Sequence, residues 1–131
     1  MAFTHSLRVR YGECDPQGVA FNANYLAWFD VAITELWRER LGGYQELLET
    51  GVDSVVAEAT VRYLKPVAFD DLIELGVTVG RIGNTSLVTD HSISRAGETC
   101  AEGAIRYVFI SAADGRPTPI PDRVRSALES V

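Results

Sequence analysis

From the long helix onward the spacing of the apolar residues changes at Gly51, and that change of period restricts the folds open to this chain. Upstream, Tyr25, Phe29, Ile33, Leu36, Trp37 and Leu41 recur at steps of three and four, the stripe of an amphipathic helix. Asn22 or Asn24 suits its N-cap, because a short amide side chain can accept from the first free backbone N–H groups, and Gly42-Gly43 suits its stop. At about 1.5 Å per residue, eighteen or so residues span roughly 27 Å, so this helix is the largest element. Tyr44 to Thr50 adds a short second helical turn before Gly51.

Downstream the period is two. Val55, Ala57, Ala59, Val61 and Tyr63 alternate with Val56, Glu58, Thr60, Arg62 and Leu64 until Pro66 stops the run. Leu72 to Val79, Ser86 to Ile93 and Thr99 to Ile110 follow the same alternation, with a hairpin turn at Ala96-Gly97 between the last two. Asp114-Gly115 with Pro117, Pro119 and Pro121 closes the last run, and Asp122 opens a short C-terminal helix. One further alternating run, Ser6 to Tyr11, precedes the long helix and ends at Gly12. The order is strand, long helix, then four strands whose short connections imply antiparallel neighbours. A helix with a wide apolar stripe against a five-stranded antiparallel sheet is a two-layer α+β arrangement, with the sheet wrapped around the helix.

Length and charge narrow what such a domain can do. The 131 residues form a single domain, 1–131, with no room for a second, so a site enclosed by two walls needs another copy of the chain. The net charge is −6, and Lys65 stands as the one lysine beside eleven arginines. That balance argues against a nucleic-acid partner and means that any phosphate-bearing ligand must meet a local Arg or Lys. Cys14 and Cys100 are far apart, without a CxxC, and only His5 and His91 could join them, so no metal site is expected. No apolar run approaches 18 residues and the first residues do not form a signal peptide; the expectation is a cytoplasmic protein with reduced thiols and no membrane association.

No GxSxG, GxGxxG after a strand, P-loop or HExxH is present, which removes the physical parts of serine-hydrolase, dinucleotide, nucleotide and zinc-protease chemistry. Cys14 could serve as a thiolate nucleophile only if His5 or His91 lay beside it, and a packed free cysteine is the plainer reading. What remains is Asp15, in the turn Glu13-Cys14-Asp15-Pro16-Gln17-Gly18 just before the long helix. It is either a turn-capping aspartate or a carboxylate that attacks a carbonyl, or activates water toward it, while free N–H groups at the helix start polarise that carbonyl. An ester or thioester is the natural target of the second arrangement.

The segment from Tyr11 to Asp30, with Asp15, Gly18, Asn22, Tyr25 and Asp30 at their spacings, resembles the signature of the 4-hydroxybenzoyl-CoA thioesterase family, and the likeness extends through Tyr63-Leu64-Lys65-Pro66 and Asp70-Asp71 to the strands around Asn84 to Arg95. The resemblance implies a hot-dog fold and an acyl-CoA thioesterase that hydrolyses a small or aromatic acyl-CoA without a cofactor. It makes Asp15 the nucleophile or general base and the Asn22 backbone N–H the oxyanion donor. Tyr25 and Trp28 become candidate walls of the substrate pocket, Asp30 the acidic residue facing the acyl group, and Glu58 a contact to the partner's pocket. Coenzyme A phosphates would fall to Arg62, Lys65 and Arg81, with Asn84 and Thr85 adding uncharged contacts, because the turn Gly83-Asn84-Thr85 lacks the basic residues expected there. The poverty of cations leaves open an acyl carrier protein as the thioester's bearer, and a non-catalytic acyl-thioester binding module is the alternative outside enzymes. A homodimer is expected, pairing into a homotetramer as a dimer of dimers.

Overall fold

The computed structural model describes residues 2–131. Strand β1 (Phe3–Arg8) leads through a 3-10 turn (Tyr11–Glu13) to helix α1 (Asn24–Leu41) and a short helix α2 (Tyr44–Glu49). Strands β2 (Val52–Tyr63), β3 (Leu72–Ile82), β4 (Ser86–Arg95) and β5 (Glu98–Ser111) follow, and α3 (Asp122–Leu128) closes the chain. The five strands form one antiparallel sheet in the order β1-β3-β4-β5-β2, so the strand after the helices crosses to the far edge. The hot-dog arrangement expected from the sequence is the arrangement observed, with α1 packed on one sheet face.

The core follows from the two periods. Tyr25, Trp28, Phe29, Ala32, Ile33, Leu36, Trp37 and Leu41 line the buried side of α1. They meet Ile73, Leu75 and Val77 of β3, Leu87 and Ile93 of β4, and Ile105, Tyr107 and Phe109 of β5. Gly42 ends the helix in the left-handed region at φ 99°, with Gly43 donating back to the Trp37 carbonyl, a conformation that would strain any side-chain-bearing residue. Gly103 is required for a different reason: a Cβ there would lie 2.7 Å from the Phe29 ring and overlap the Thr60 carbonyl oxygen, so α1 sits on β5 only because that position is bare.

Three local expectations are corrected. The first strand begins earlier and ends at Arg8: Val9 continues beside the 68–71 segment, donating to Asp71 O and accepting from Asp70 N–H, and Tyr11 turns outward, 80% exposed. Neither Asn22 nor Asn24 caps α1. Ala23 occupies the N-cap without a side-chain bond, and the Asn24 amide instead donates to the Glu13 carbonyl at 2.7 Å. In β2 a bulge between Val56 and Glu58 inserts one extra residue, which breaks the simple alternation read from the sequence. Val55 pairs with outward Val108, whereas Val56, opposite Tyr107, and Ala59, opposite Ile105, face α1. No helix among the described residues is long and apolar enough to cross a membrane.

Candidate active site

The segment between the 3-10 turn and α1 is a miniature hairpin. Cys14 and Ala20 form an antiparallel bridge, Val19 bridges Ala68, and Gly18 N–H donates to Asp15 O at 2.9 Å. Asp-Pro-Gln-Gly at residues 15–18 places an aspartate first, proline second and glycine fourth, the residues that a tight turn selects. Gly18 closes it at φ 82°. Asp15 therefore sits on a hairpin tip with its backbone tied at both ends, since its own N–H donates to Val19 O. One carboxylate oxygen accepts the Gln17 N–H at 2.8 Å, and the other has no partner among the described residues.

The chain then enters α1 through Phe21–Ala23. Phe21 N–H is bonded to Glu13 O and Asn24 N–H to Phe21 O, but the N–H groups of Asn22 and Ala23 donate to nothing among the described residues. They are orphan donors at the positive end of an eighteen-residue helix. Asn22 and Asp15 line the same pocket, of about 280 Å³, with Tyr25 behind them and Tyr63, Lys65 and Pro66 on the other side. A half-buried carboxylate and an unpaired backbone donor opening onto one cavity are the two parts needed to attack a carbonyl and hold its oxygen.

The remaining predicted residues are distributed as follows. Tyr25 serves both readings given to it: it is 3% exposed on the core stripe, its ring meets Tyr63 edge-on at 4.9 Å, and it lines the pocket. Burial first of all holds its phenol above the usual value. Trp28 lies behind the wall, 2% exposed, and its indole N–H donates to Glu13 Oε2 at 2.8 Å. Asp30 belongs to a different and almost wholly apolar cavity of about 240 Å³, with Leu26, Phe29, Val56, Ala59 and Tyr107. There burial, with Asp30 adding to it, pushes the Tyr107 phenol far up. Glu58 pairs with Arg106 across the sheet face turned away from α1.

Of the residues read as phosphate contacts, only Lys65 lines the Asp15 pocket, and its ammonium is paired with Glu98 at 2.9 Å. Arg62 projects from the opposite face of β2 into another concavity, where Glu102 holds it at 3.5 Å. Arg81, Asn84 and Thr85 lie at the other end of β3, whose eleven residues place them roughly 30 Å from Asp15 in the same protomer. The structure does not bring these five residues together within one chain.

Glu13 and Tyr63 were missed by the sequence reading. The Glu13 carboxylate accepts from Arg10 N–H at 2.7 Å as well as from Trp28, and these bonds together hold it below the ordinary carboxylate range against the opposing effect of burial, the largest single influence. Tyr63 donates its hydroxyl to Asn22 O at 2.9 Å. The Arg10-to-Glu13 spacing is a capping pattern that could have exposed the first; the second joins residues 41 apart and leaves no local signal.

Comparison with known proteins shows the family and the fold. The family model described as the thioesterase-like superfamily matches residues 9–128. The chain is similar to the acyl-CoA thioester hydrolase YbgC of Escherichia coli, 30% identical over 123 residues that cover 93% of this chain and 92% of that one. It is also similar to the 4-hydroxybenzoyl-CoA thioesterase of Pseudomonas sp., 25% identical with 72% and 69% of the two chains covered. In backbone it superimposes on a crystal structure from Aquifex aeolicus with a TM-score of 0.92 at 23% identity, covering 97% of this chain and 99% of that one, a likeness of fold. The chain belongs to the thioesterase-like superfamily, a thioester hydrolase on a hot-dog fold.

Proposed function

We propose that this protein hydrolyses acyl-CoA thioesters bearing a small or aromatic acyl group. Asp15 adds to the thioester carbonyl or draws a proton from the water that does, and the Asn22 N–H holds the oxygen as it gains charge. The acyl–sulfur bond breaks, a new acyl–oxygen bond forms from water, and the thiolate leaves to take up a proton. The observation that carries this reading is the unpaired Asn22 N–H opening onto the same pocket as the free carboxylate oxygen of Asp15. A preorganised donor of this kind is typically worth about 3 kcal/mol in the transition state. The names of the relatives support acyl-CoA as the substrate, and that of the Pseudomonas enzyme supports an aromatic acyl group. The apolar cavity under Asp30 and Tyr107 is of a size and lining to accept such a ring.

The site is completed by a second copy. Strand β2 is a twelve-residue edge strand carrying Val55 and Val56 at 43% and 57% exposure, with Leu26 of α1 beside it at 41%. A long apolar edge of this kind is the surface that proteins cover. Antiparallel pairing through β2 forms a two-fold dimer, two dimers form the tetramer, and the β3–β4 turn of one protomer comes to the same side as Asp15 of the other. The protein works in the cytoplasm and needs no cofactor.

One observation favours a second reading. With Arg62 and Lys65 paired to Glu102 and Glu98, few cations are left for the phosphates of coenzyme A, which suits a pantetheine delivered on a carrier protein. Measuring kcat/KM for one aromatic acyl group on coenzyme A and on an acyl carrier protein separates the two. Our reading predicts at least tenfold preference for the coenzyme A form by a dimer or tetramer in light scattering; preference for the carrier, or an active monomer, contradicts it.

A further inference from the structure

We infer that Glu13 and Tyr63 are positioning residues that fix the spacing between the Asp15 carboxylate and the Asn22 N–H. The inference rests on the proposed roles of those two groups, and it asks what holds them. Neither is held by its own side chain to the core: Asp15 bonds only within its turn, and the N-cap makes no side-chain bond. The segment from Glu13 to Asn24 is instead clamped at its two ends by residues that touch neither group.

Glu13 fastens the first end. Its carboxylate, with the side chain 14% exposed, accepts from Arg10 N–H at 2.7 Å, Arg10 Nη2 at 3.3 Å and Trp28 Nε1 at 2.8 Å. Its carbonyl accepts from Phe21 N–H at 2.9 Å and Asn24 Nδ2 at 2.7 Å. One residue thus ties the strand exit, the residue before Asn22 and two residues of the first helical turns into one unit. Trp28 is a core side chain, so the anchor on the helix side is rigid. Tyr63 fastens the second end: its hydroxyl donates to Asn22 O at 2.9 Å while its ring stands edge-on to Tyr25.

A purely structural role fits these residues poorly. Tyr63 is 50% exposed, so its hydroxyl contributes little to stability, and the bonds that hold the part-buried Glu13 carboxylate charged also fix the segment that carries Asp15 and Asn22. Holding two reacting groups in register is different in scale, because a displacement of about 1 Å can cost on the order of 100-fold in rate. The same bonds therefore matter more to turnover than to folding.

Tyr63→Phe removes one hydroxyl and keeps the ring; Glu13→Gln removes the charge at the other end, and should Glu13→Gln fold poorly, Trp28→Phe removes the indole donor together with part of a buried ring, its turnover being compared at equal folded fraction. With an acyl-CoA substrate and Asp15→Asn measured alongside, each variant should lower kcat roughly 10- to 100-fold and leave KM within about threefold, with the melting temperature little changed in Tyr63→Phe and lowered in Trp28→Phe. An unchanged kcat in Tyr63→Phe and in the Glu13 or Trp28 variant overturns the inference, as does a loss confined to KM, which would make Tyr63 a substrate contact. If Asp15→Asn itself retains normal turnover, the proposed function fails instead, and the two failures are read from separate variants.

Discussion

Two tight connections stand at opposite ends of the sheet, and they differ in which polar groups they tie into the fold. At the β3–β4 turn, Gly83 N–H donates to Ser86 O, Asn84 O accepts from Ile120 N–H, Thr85 O accepts from Phe109 N–H, and Arg125 caps the Gly83 carbonyl at 2.9 Å. The first closes the turn on itself, and the other three tie it to β5 or the C-terminal segment. At the other end, the hairpin of residues 14–20 is as firmly tied in its backbone, yet it leaves the Asn22 and Ala23 N–H groups and one Asp15 oxygen without partners. The first N–H groups of a helix have no partner within it, so on a braced scaffold beside a carboxylate they are available to a ligand. The contrast is between a turn whose carbonyls are tied into the fold and one whose open donors stand beside a carboxylate at a helix start.

Between these ends lies a third case, which yields the largest stability effect. His91, 3% exposed at the middle of β4, stacks on Phe29 at 4.6 Å and bonds Thr89 through Nε2, while its Nδ1 is buried without a partner. Burial lowers its pKa from 6.5 to about 4. The folded state therefore resists protonation that the unfolded state accepts. Its contribution is intact above pH 6.5 and is lost as the pH falls toward 4, amounting to about 3 kcal/mol at the lower end. Urea midpoints from pH 7 to pH 4.5 should show this decline, and His91→Leu should flatten it over that window. An equal decline in the variant would assign the acid sensitivity to the carboxylates.

A smaller effect tests the β3–β4 turn. Arg125→Met keeps the aliphatic stem but removes the donor to Gly83 O, and should cost about 1 kcal/mol in denaturant unfolding with kcat unaltered. Loss of turnover without loss of stability would place the far turn in the chemistry of its own chain and erase the contrast.

Periodicity carried most of the fold. The α1 stripe and its glycine stop, the four later strands and the antiparallel succession β3-β4-β5 depend on residues close in sequence, and the structure reproduces them; β2, expected beside β3, pairs with β5 instead, because the chain crosses the sheet after the helices. Where the sequence reading erred, a distant group had intervened. Asn24 was free to cap α1 until the Glu13 carbonyl claimed its amide; the β2 alternation held until one extra residue, Ala57, brought Val56 onto the same face as Ala59. Asp15 was legible because a turn motif and a helix start are local, whereas Tyr63 reaches Asn22 only through the crossing of β2 to the sheet's edge. The phosphate contacts were the least legible, since strand pairing decides that Arg62 and Lys65 face different cavities.

The central claim is that the open groups at Asp15 and Asn22 are the site of reaction, and steady-state hydrolysis by Asp15→Asn tests it most directly. The substitution keeps an acceptor for the Gln17 N–H and removes the charge, so the variant should fold with an unchanged melting temperature while kcat falls by at least about 1,000-fold on every acyl-CoA that the parent hydrolyses. Turnover within tenfold of the parent, in a variant shown to be folded, would contradict the claim.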